Sequence, residues 1–270
     1  MNSINLLNRD RIYHKADTPD IIVAGISDVG YLRTFNEDKI WVHDSGKVIL
    51  LADGMGGHER GADASRIALE TLSELLLPEK INSQLDDITI SEEVSPEAAP
   101  IYAVIRRAIK KAASVMAERN NELKLSKYMG TTIVGLLISE DTHLFWFHIG
   151  DSRVYRLRDG ILKCLTVDHS VYAEWEKVGS PGTAPAKNLV TRVLANNPEV
   201  EADINWDKKI KGDIYLICSD GLNDMISDKK IEEILNIKKP IPDTAEMLVN
   251  EALSAGGKDN VSVILCEILV

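Results

Sequence analysis

The sequence predicts an α+β protein in which antiparallel sheets are covered by helices. Short apolar runs bounded by turn residues recur along the chain, and Asp159-Gly160 reads as a hairpin between two of them. Two longer stretches carry apolar residues at helical spacing. Neither an internal repeat nor a flexible linker divides the chain, so strands and helices are expected to share one fold.

Taken in order, residues 1–20 are polar and read as an N-terminal extension, loose or forming an edge element. A single domain is expected over residues 21–270, opening with a strand at Ile21–Ile26. Asp28–Asp38 is turn-rich, and strand residues follow around Ile40–Val42. Val48–Ala52 is a short apolar run that reads as a buried strand ending at Asp53-Gly54, with Gly56-Gly57 close behind. Ala62–Leu77 is a helix by the spacing of Ile67, Ala68, Leu72, Leu75 and Leu76. The acidic, proline-containing stretch Gln84–Pro100 is a connector, and a long helix fits Ala98–Leu123. Thr131–Ile138, His143–Ile149, Arg153–Leu157 and Ile161–Leu165 read as consecutive strands. Val167–Pro198 breaks that rhythm with Gly179, Pro181, Gly182 and Pro185. A strand at Ile214–Cys218, short helices near Asp228–Leu235 and Thr244–Ala255, and a strand at Val261–Leu269 complete the chain.

At 270 residues and 44% hydrophobic content, the chain has ample material for a core. Its formal net charge of −11 argues against nucleic acid as a partner, because phosphate backbones are bound through basic surface. The three cysteines, Cys164, Cys218 and Cys266, are widely spaced and form no CxxC pair, which disfavours a zinc site. With neither a signal-like leader nor an apolar run of membrane-spanning length, a cytoplasmic protein without a membrane partner is expected.

Four apolar runs lie against aspartates: Asp53-Gly54, Gly150-Asp151, Ser219-Asp220-Gly221 and Asp259-Asn260. Any one Asp-Gly pair could be an ordinary strand-ending turn. Several carboxylates gathered at the ends of core strands repel one another unless cations neutralise them. The set therefore points to a hard, oxygen-liganded ion such as Mg²⁺ or Mn²⁺.

The residues that carry this pattern resemble the metal-dependent type 2C protein Ser/Thr phosphatases in their compact bacterial form. The matching fragments are GYLRTFNED (30–38), LADGMGGHERGADAS (51–65), GTT (130–132), HIGDSRVYR (148–156), DHS (168–170), SDGL (219–222) and KDNVSVI (258–264). They occur in family order over nearly all of the chain beyond residue 20. The resemblance implies a four-layer α-β-β-α sandwich of two antiparallel sheets, with helix pairs outside and a flap at about 167–198. It also implies a centre of two Mn²⁺ or Mg²⁺ ions, with a third bound more weakly. Asp53 would bridge both ions, the Gly54 carbonyl would bind the first, and Asp220 and Asp259 would hold the second. Asp38, with Glu37 beside it, would act through water in the metal shell. Asp151 matches the position that helps bind the third ion, Arg33 would grip the substrate phosphate, and Asn260 would support its neighbours.

The chemistry agrees with that assignment. A phosphomonoester is dianionic and repels hydroxide, and two divalent ions can both screen it and lower the pKa of a water. An arginine adds a planar fork matched to two phosphate oxygens. His58 is a candidate acid, although a histidine beside Gly-Gly could equally hold the loop. Eukaryotic relatives often carry a histidine directly after the Asp-Gly pair, where this chain has Met55, so the leaving-group acid stays open. Arg153 is expected to pair with a carboxylate and position Asp151, and His148 and His169 to be structural. The expected activity is hydrolysis of phosphoserine and phosphothreonine in proteins that a Ser/Thr kinase modifies, by a monomer. A hydrolase of small phosphate esters and a silent phosphatase-like binding module are the alternatives.

Overall fold

The computed structural model describes residues 11–56, 59–84, 98–124, 127–140 and 142–270. The chain opens on β1 (Ile12–Asp17), which pairs antiparallel with β2 (Ile21–Asp28), Ile12 opposite Ser27 and Asp17 opposite Ile22. The described part of the N-terminal extension is therefore mostly an edge strand of the domain's own sheet, and the boundary at residue 20 falls inside a hairpin. Next come β3 (Asp38–Val42), β4 (Val48–Met55), and the helices α1 (Glu59–Leu75), α2 (Pro78–Gln84) and α3 (Ala99–Leu123). Most of the acidic connector expected before α3 lies outside the described residues. The strands β5 (Gly130–Thr131), β6 (Ile133–Ile138), β7 (His143–Ile149), β8 (Arg153–Arg158) and β9 (Ile161–Cys164) follow, then α4 (Val171–Lys177). The chain closes with β10 (Asp203–Lys208), β11 (Ile214–Cys218), α5 (Asp220–Asn223), α6 (Asp228–Leu235), α7 (Ile241–Ser254) and β12 (Val261–Ile268).

Two antiparallel sheets result. One runs β1-β2-β12-β11-β8-β9, and the other runs β10-β7-β6-β4-β3 with β5 attached to β4. Side chains alternate between the faces of a strand, so each central strand serves two cores. Ile49 and Leu51 of β4 face the layer between the sheets, with Trp146, Ile217 and Ile264. Val48, Leu50 and Ala52 of the same strand face outward, against Leu72 of α1 and Ile105 and Met116 of α3. On the far side, Leu216, Val263 and Leu265 pack under α6 and α7 through Ile231, Leu248 and Ala252. Helices on both outer surfaces explain why the strands read as continuous apolar runs rather than as alternation. The architecture is the four-layer α-β-β-α sandwich that the resemblance implies.

Local chemistry moves several boundaries. β4 does not end at Asp53-Gly54: it continues to Met55 because Gly54 and Met55 find ladder partners in Thr131 and Gly130. The chain turns instead at Gly56, whose φ of +139° suits glycine. The run expected as one strand over Thr131–Ile138 splits at Thr132, whose N–H donates to the Asp53 carbonyl at 2.8 Å. At Asp159-Gly160 both φ values are positive, +53° and +78°, as a tight two-residue hairpin turn requires.

The segment 167–198 is less loose than its glycines and prolines suggest. It contains α4, capped by Ser170 Oγ accepting from the Ala173 N–H at 3.1 Å. Its return is fastened by two hydrogen bonds between Thr131 and Leu194, both 2.9 Å. The exposed part is the middle, around residues 178–189. Strand β10 escapes the sequence reading, because Asp203, Asn205, Asp207 and Lys208 leave little apolar signal on an edge that only β7 covers.

Candidate active site

The register of one hairpin begins the site. β3 and β4 pair so that Asp38 stands directly opposite Asp53. Like charges at facing ladder positions repel, so this pairing requires compensation. Asp38 is fully buried, and its Oδ2 accepts from Ser219 Oγ at 2.8 Å and Ser262 Oγ at 2.6 Å. Ser262 in turn lies 2.7 Å from Ser27 Oγ, and its N–H donates to Ser219 Oγ at 3.1 Å. Asp38 Oδ1 is buried with no hydrogen-bond partner among the described residues.

Asp53 is held through its backbone. Its N–H donates to Thr132 Oγ1 at 3.1 Å, and its carbonyl accepts from Thr131 Oγ1 and the Thr132 N–H, both at 2.8 Å. Gly54 packs so closely that an added Cβ would collide with the Gly61 carbonyl. Asp220 is the first residue of α5, delivered where β11 ends. Asp151, almost fully buried, follows β7 at a Gly150 turn with φ of +108°. Asp259 precedes β12, and its Oδ2 accepts from Arg33 Nη2 at 2.6 Å.

These carboxylates feel one another. Burial, then the charges of Asp38, Asp220, Asp151 and Asp259, hold the Asp53 carboxyl well above its ordinary range. Burial, then Asp151, Asp259, Asp38 and Asp224, do the same to Asp220. Burial pushes Asp38 up to about 6, although the Ser262 and Ser219 hydroxyls pull against it. Asp151 is also pushed up to about 6, chiefly by burial. A cavity of about 220 Å³ opens beside Asp151 and Asp220, with Asp168, Asp224 and Lys187 on its wall. An all-oxygen donor set, crowded charge and an unpartnered buried carboxylate oxygen fit a hard divalent cation.

A sequence model described as protein phosphatase 2C matches residues 33–256. The chain belongs to the protein phosphatase 2C family. It is 32% identical over 256 residues to the serine/threonine phosphatase Stp of Listeria monocytogenes, covering 89% of this chain and 93% of that protein. It is 35% identical over 251 residues to the protein phosphatase PhpP of Streptococcus pneumoniae, covering 90% and 96%. The solved structure of the serine/threonine phosphatase PstP of Mycobacterium tuberculosis superposes with a TM-score of 0.76 at 33% identity, over 93% of this chain and all of that one. The catalytic domain of PstP in complex with two manganese ions superposes equally well, over 93% of this chain and 99% of that one.

Within this phosphatase 2C framework the structure brings Asp38, Asp53, Asp151, Asp220 and Asp259 together, and Arg33 stands on the rim beside Asp259. Glu37 precedes Asp38 and its carbonyl accepts from the Gly54 N–H at 3.2 Å. Asn260 clamps the loop before β3: Nδ2 donates to the Val29 and Phe35 carbonyls, and Oδ1 accepts from the Glu37 N–H at 2.8 Å. His58 lies outside the described residues. Arg153 forms a two-pronged pair with Asp168 at 2.8 and 2.7 Å, both on the wall of the cavity beside Asp151.

His148, His169 and Asp203 each bring a ligand atom within 4.8 Å of the others. The two imidazoles are stacked, 4.4 Å between centroids and 19° between planes, so their in-plane lone pairs cannot converge on one ion. His169 Nδ1 accepts the Gly150 N–H at 3.1 Å, and Nε2 lies 3.1 Å from Arg192 Nη1 and 3.4 Å from Asp203, so both ring nitrogens are engaged by the protein. Sequence reasoning missed Ser27, Ser219 and Ser262. For Ser27 and Ser262 the available signal was a small polar residue inside an otherwise apolar strand, which must find a buried partner, whereas Ser219 stands just past β11 at the start of α5.

Proposed function

We propose that this chain hydrolyses phosphoserine and phosphothreonine esters in proteins at a centre of two Mn²⁺ or Mg²⁺ ions. The observation that carries the reading is the Asp38–Asp53 pairing within a group of aspartates whose charges raise the pKa of Asp53 and Asp220. Asp53, the Gly54 carbonyl, Asp220 and Asp259 would hold the two ions, with Asp38 acting through water and Asp151 at a third position. When bound, the ions supply charge screening for the phosphate dianion and a water acidic enough to attack near neutral pH. The two-manganese complex of PstP supports this assignment.

The protein's own groups do the remaining work. Ser219 and Ser262 fix the Asp38 carboxylate, leaving Oδ1 for the cleft. Thr131 and Thr132 fix the Asp53 backbone, which limits the reorganisation needed to present its carboxylate. Arg33 would grip two phosphate oxygens, which requires it to leave Asp259. Both side chains are substantially exposed, so parting them costs only about 0–1 kcal/mol.

The names of the relatives support phosphoproteins as substrates. In the finer reading, the substrates carry phosphate placed by a Ser/Thr kinase, and the enzyme meets them as a monomer in the cytoplasm. No helix among the described residues is long and apolar enough to cross a membrane. Turnover of a phosphothreonine peptide should exceed that of sugar and nucleotide monophosphates in kcat/KM, at saturating Mn²⁺. A reversed preference would favour the small-ester hydrolase, and no turnover on either would favour the silent module.

A further inference from the structure

Asp28 ends β2 with no exposed surface. A carboxylate so placed needs a counter-charge and hydrogen bonds to remain ionised. Its cation comes from the N-terminal stretch: Arg11 Nε donates to Asp28 Oδ2 at 2.7 Å. The same guanidinium reaches α7, with Nη1 2.6 Å from Glu246 Oε2 and Nη2 2.8 Å from Asn250 Oδ1. Tyr13 of β1 donates to the other Glu246 oxygen at 2.9 Å. Arg11 therefore joins β2 to the outer helix from a point just before β1.

The second oxygen of Asp28 faces the site. Oδ1 accepts the Gly30 N–H at 2.8 Å. Gly30 turns with φ of +77°, and an added Cβ there would strike the Asp259 carbonyl. The next N–H, of Tyr31, donates to the Gly257 carbonyl at 2.7 Å. Arg33 follows three residues after Gly30, before Asn260 fastens the loop again at Phe35 and Glu37. One carboxylate thus takes Arg11 on one oxygen and the start of the Arg33 loop on the other.

We infer that Arg11 is a positioning residue for the phosphate grip, acting through Asp28 and the Gly30 turn on the loop that carries Arg33. The inference rests on the phosphatase reading, in which Arg33 takes the substrate phosphate. A charged acceptor holds an N–H roughly twice as strongly as a neutral one. Without the guanidinium, Asp28 Oδ2 loses its tie to α7, and the carboxylate that accepts the Gly30 N–H is held less firmly. Arg33 must then be ordered during binding, which weakens substrate capture and leaves the aspartate cluster on the other strands intact.

Steady-state kinetics on an aryl phosphate at saturating Mn²⁺ test this with wild type, Arg11→Ala, Arg33→Ala and the double variant. Arg11→Ala should raise KM about three- to tenfold and leave kcat within about twofold. In the Arg33→Ala background the same change should leave KM essentially unmoved, because the two act through one contact. An equal KM rise in both backgrounds would show a merely structural role and overturn the inference, as would an unchanged KM for Arg11→Ala. If Arg11→Ala does not fold, Asp28→Asn with and without Arg33 carries the same test: a KM rise that vanishes without Arg33 supports it, and one that persists overturns it. An inactive wild type contradicts the phosphatase reading and removes the inference with it; an Arg33→Ala enzyme with normal KM removes the Arg33 grip on which the inference depends, and so overturns the inference. A normal Arg33 effect without an Arg11 effect removes the inference alone.

Discussion

Asp53 is the residue on which the account turns, and its position is uncomfortable in the protein alone. It faces Asp38 across a ladder and receives the field of three further aspartates. Replacing it with asparagine removes a charge the chemistry needs and a repulsion the fold resists. Asp53→Asn and Asp220→Asn should each lower kcat by more than ~100-fold, beyond the ~10–100-fold typical of losing an outer partner of a ligand. In chelator, both variants should melt at or above the temperature of the wild type, because like charges are relieved. A thermal scan and a rate measurement on the same preparation check both halves, and a large drop in melting temperature would contradict the electrostatic account. The acidic residues were legible in the sequence because each stands at the edge of an apolar run. The serines that orient Asp38 were not, since Ser219, Ser262 and Ser27 meet only when β11, β12 and β2 lie side by side. Neither was the Arg33–Asp259 pair, which joins residues 226 positions apart.

At the scale of elements, strands fed by strong apolar runs were legible, and those fed by polar residues were not. Val48–Ala52 and Ile214–Cys218 announce themselves, whereas β10 reads as a polar linker until β7 is placed beside it. The extent of β4 was also hidden, because Gly54 signals a turn locally and is extended only where β5 pairs with it. The segment 167–198 is fastened at Ser170 and at Val190–Leu194 and exposed between them. Its Trp175 donates to the Pro181 carbonyl at 2.7 Å, and Lys187 Nζ lies 5.2 Å from the Tyr172 ring centroid, beside the cavity at Asp151. On the proposed function, this segment would act as a flap that meets the protein carrying the phosphate. Shuffling Glu174–Lys187 should lower rates on phosphoproteins about tenfold or more while changing those on a small aryl phosphate less than about threefold. Equal losses on both substrates would mean damage to the site rather than altered selection.

For the whole molecule, two sheets with helices on both outer faces bring five strand ends to one edge, and the sequence order alone shows neither the pairing nor the layering. The resemblance supplied the layers, and hydrophobic spacing supplied most of the elements. The cluster makes stability depend on pH in a defined direction. Asp38 and Asp151 are held near 6 by burial first, and Asp53 and Asp220 are likewise held well above the ordinary carboxylate range, by burial first. The folded chain therefore binds more protons than the unfolded chain above about pH 4, so this contribution is present at low pH and fades as pH rises through about 6. Mn²⁺ replaces those protons, and its gain in melting temperature should be larger at pH 7 than at pH 5. A gain that does not change with pH would contradict the coupling of these carboxylates to the ion. Whether the aspartate ring is a metal centre for phosphoester hydrolysis is decided by turnover of a phosphothreonine peptide by purified enzyme, first stripped with chelator and then resupplied with Mn²⁺. Activity should vanish on stripping and return with Mn²⁺; full turnover in the stripped enzyme would show that the aspartates are not a metal centre for the reaction.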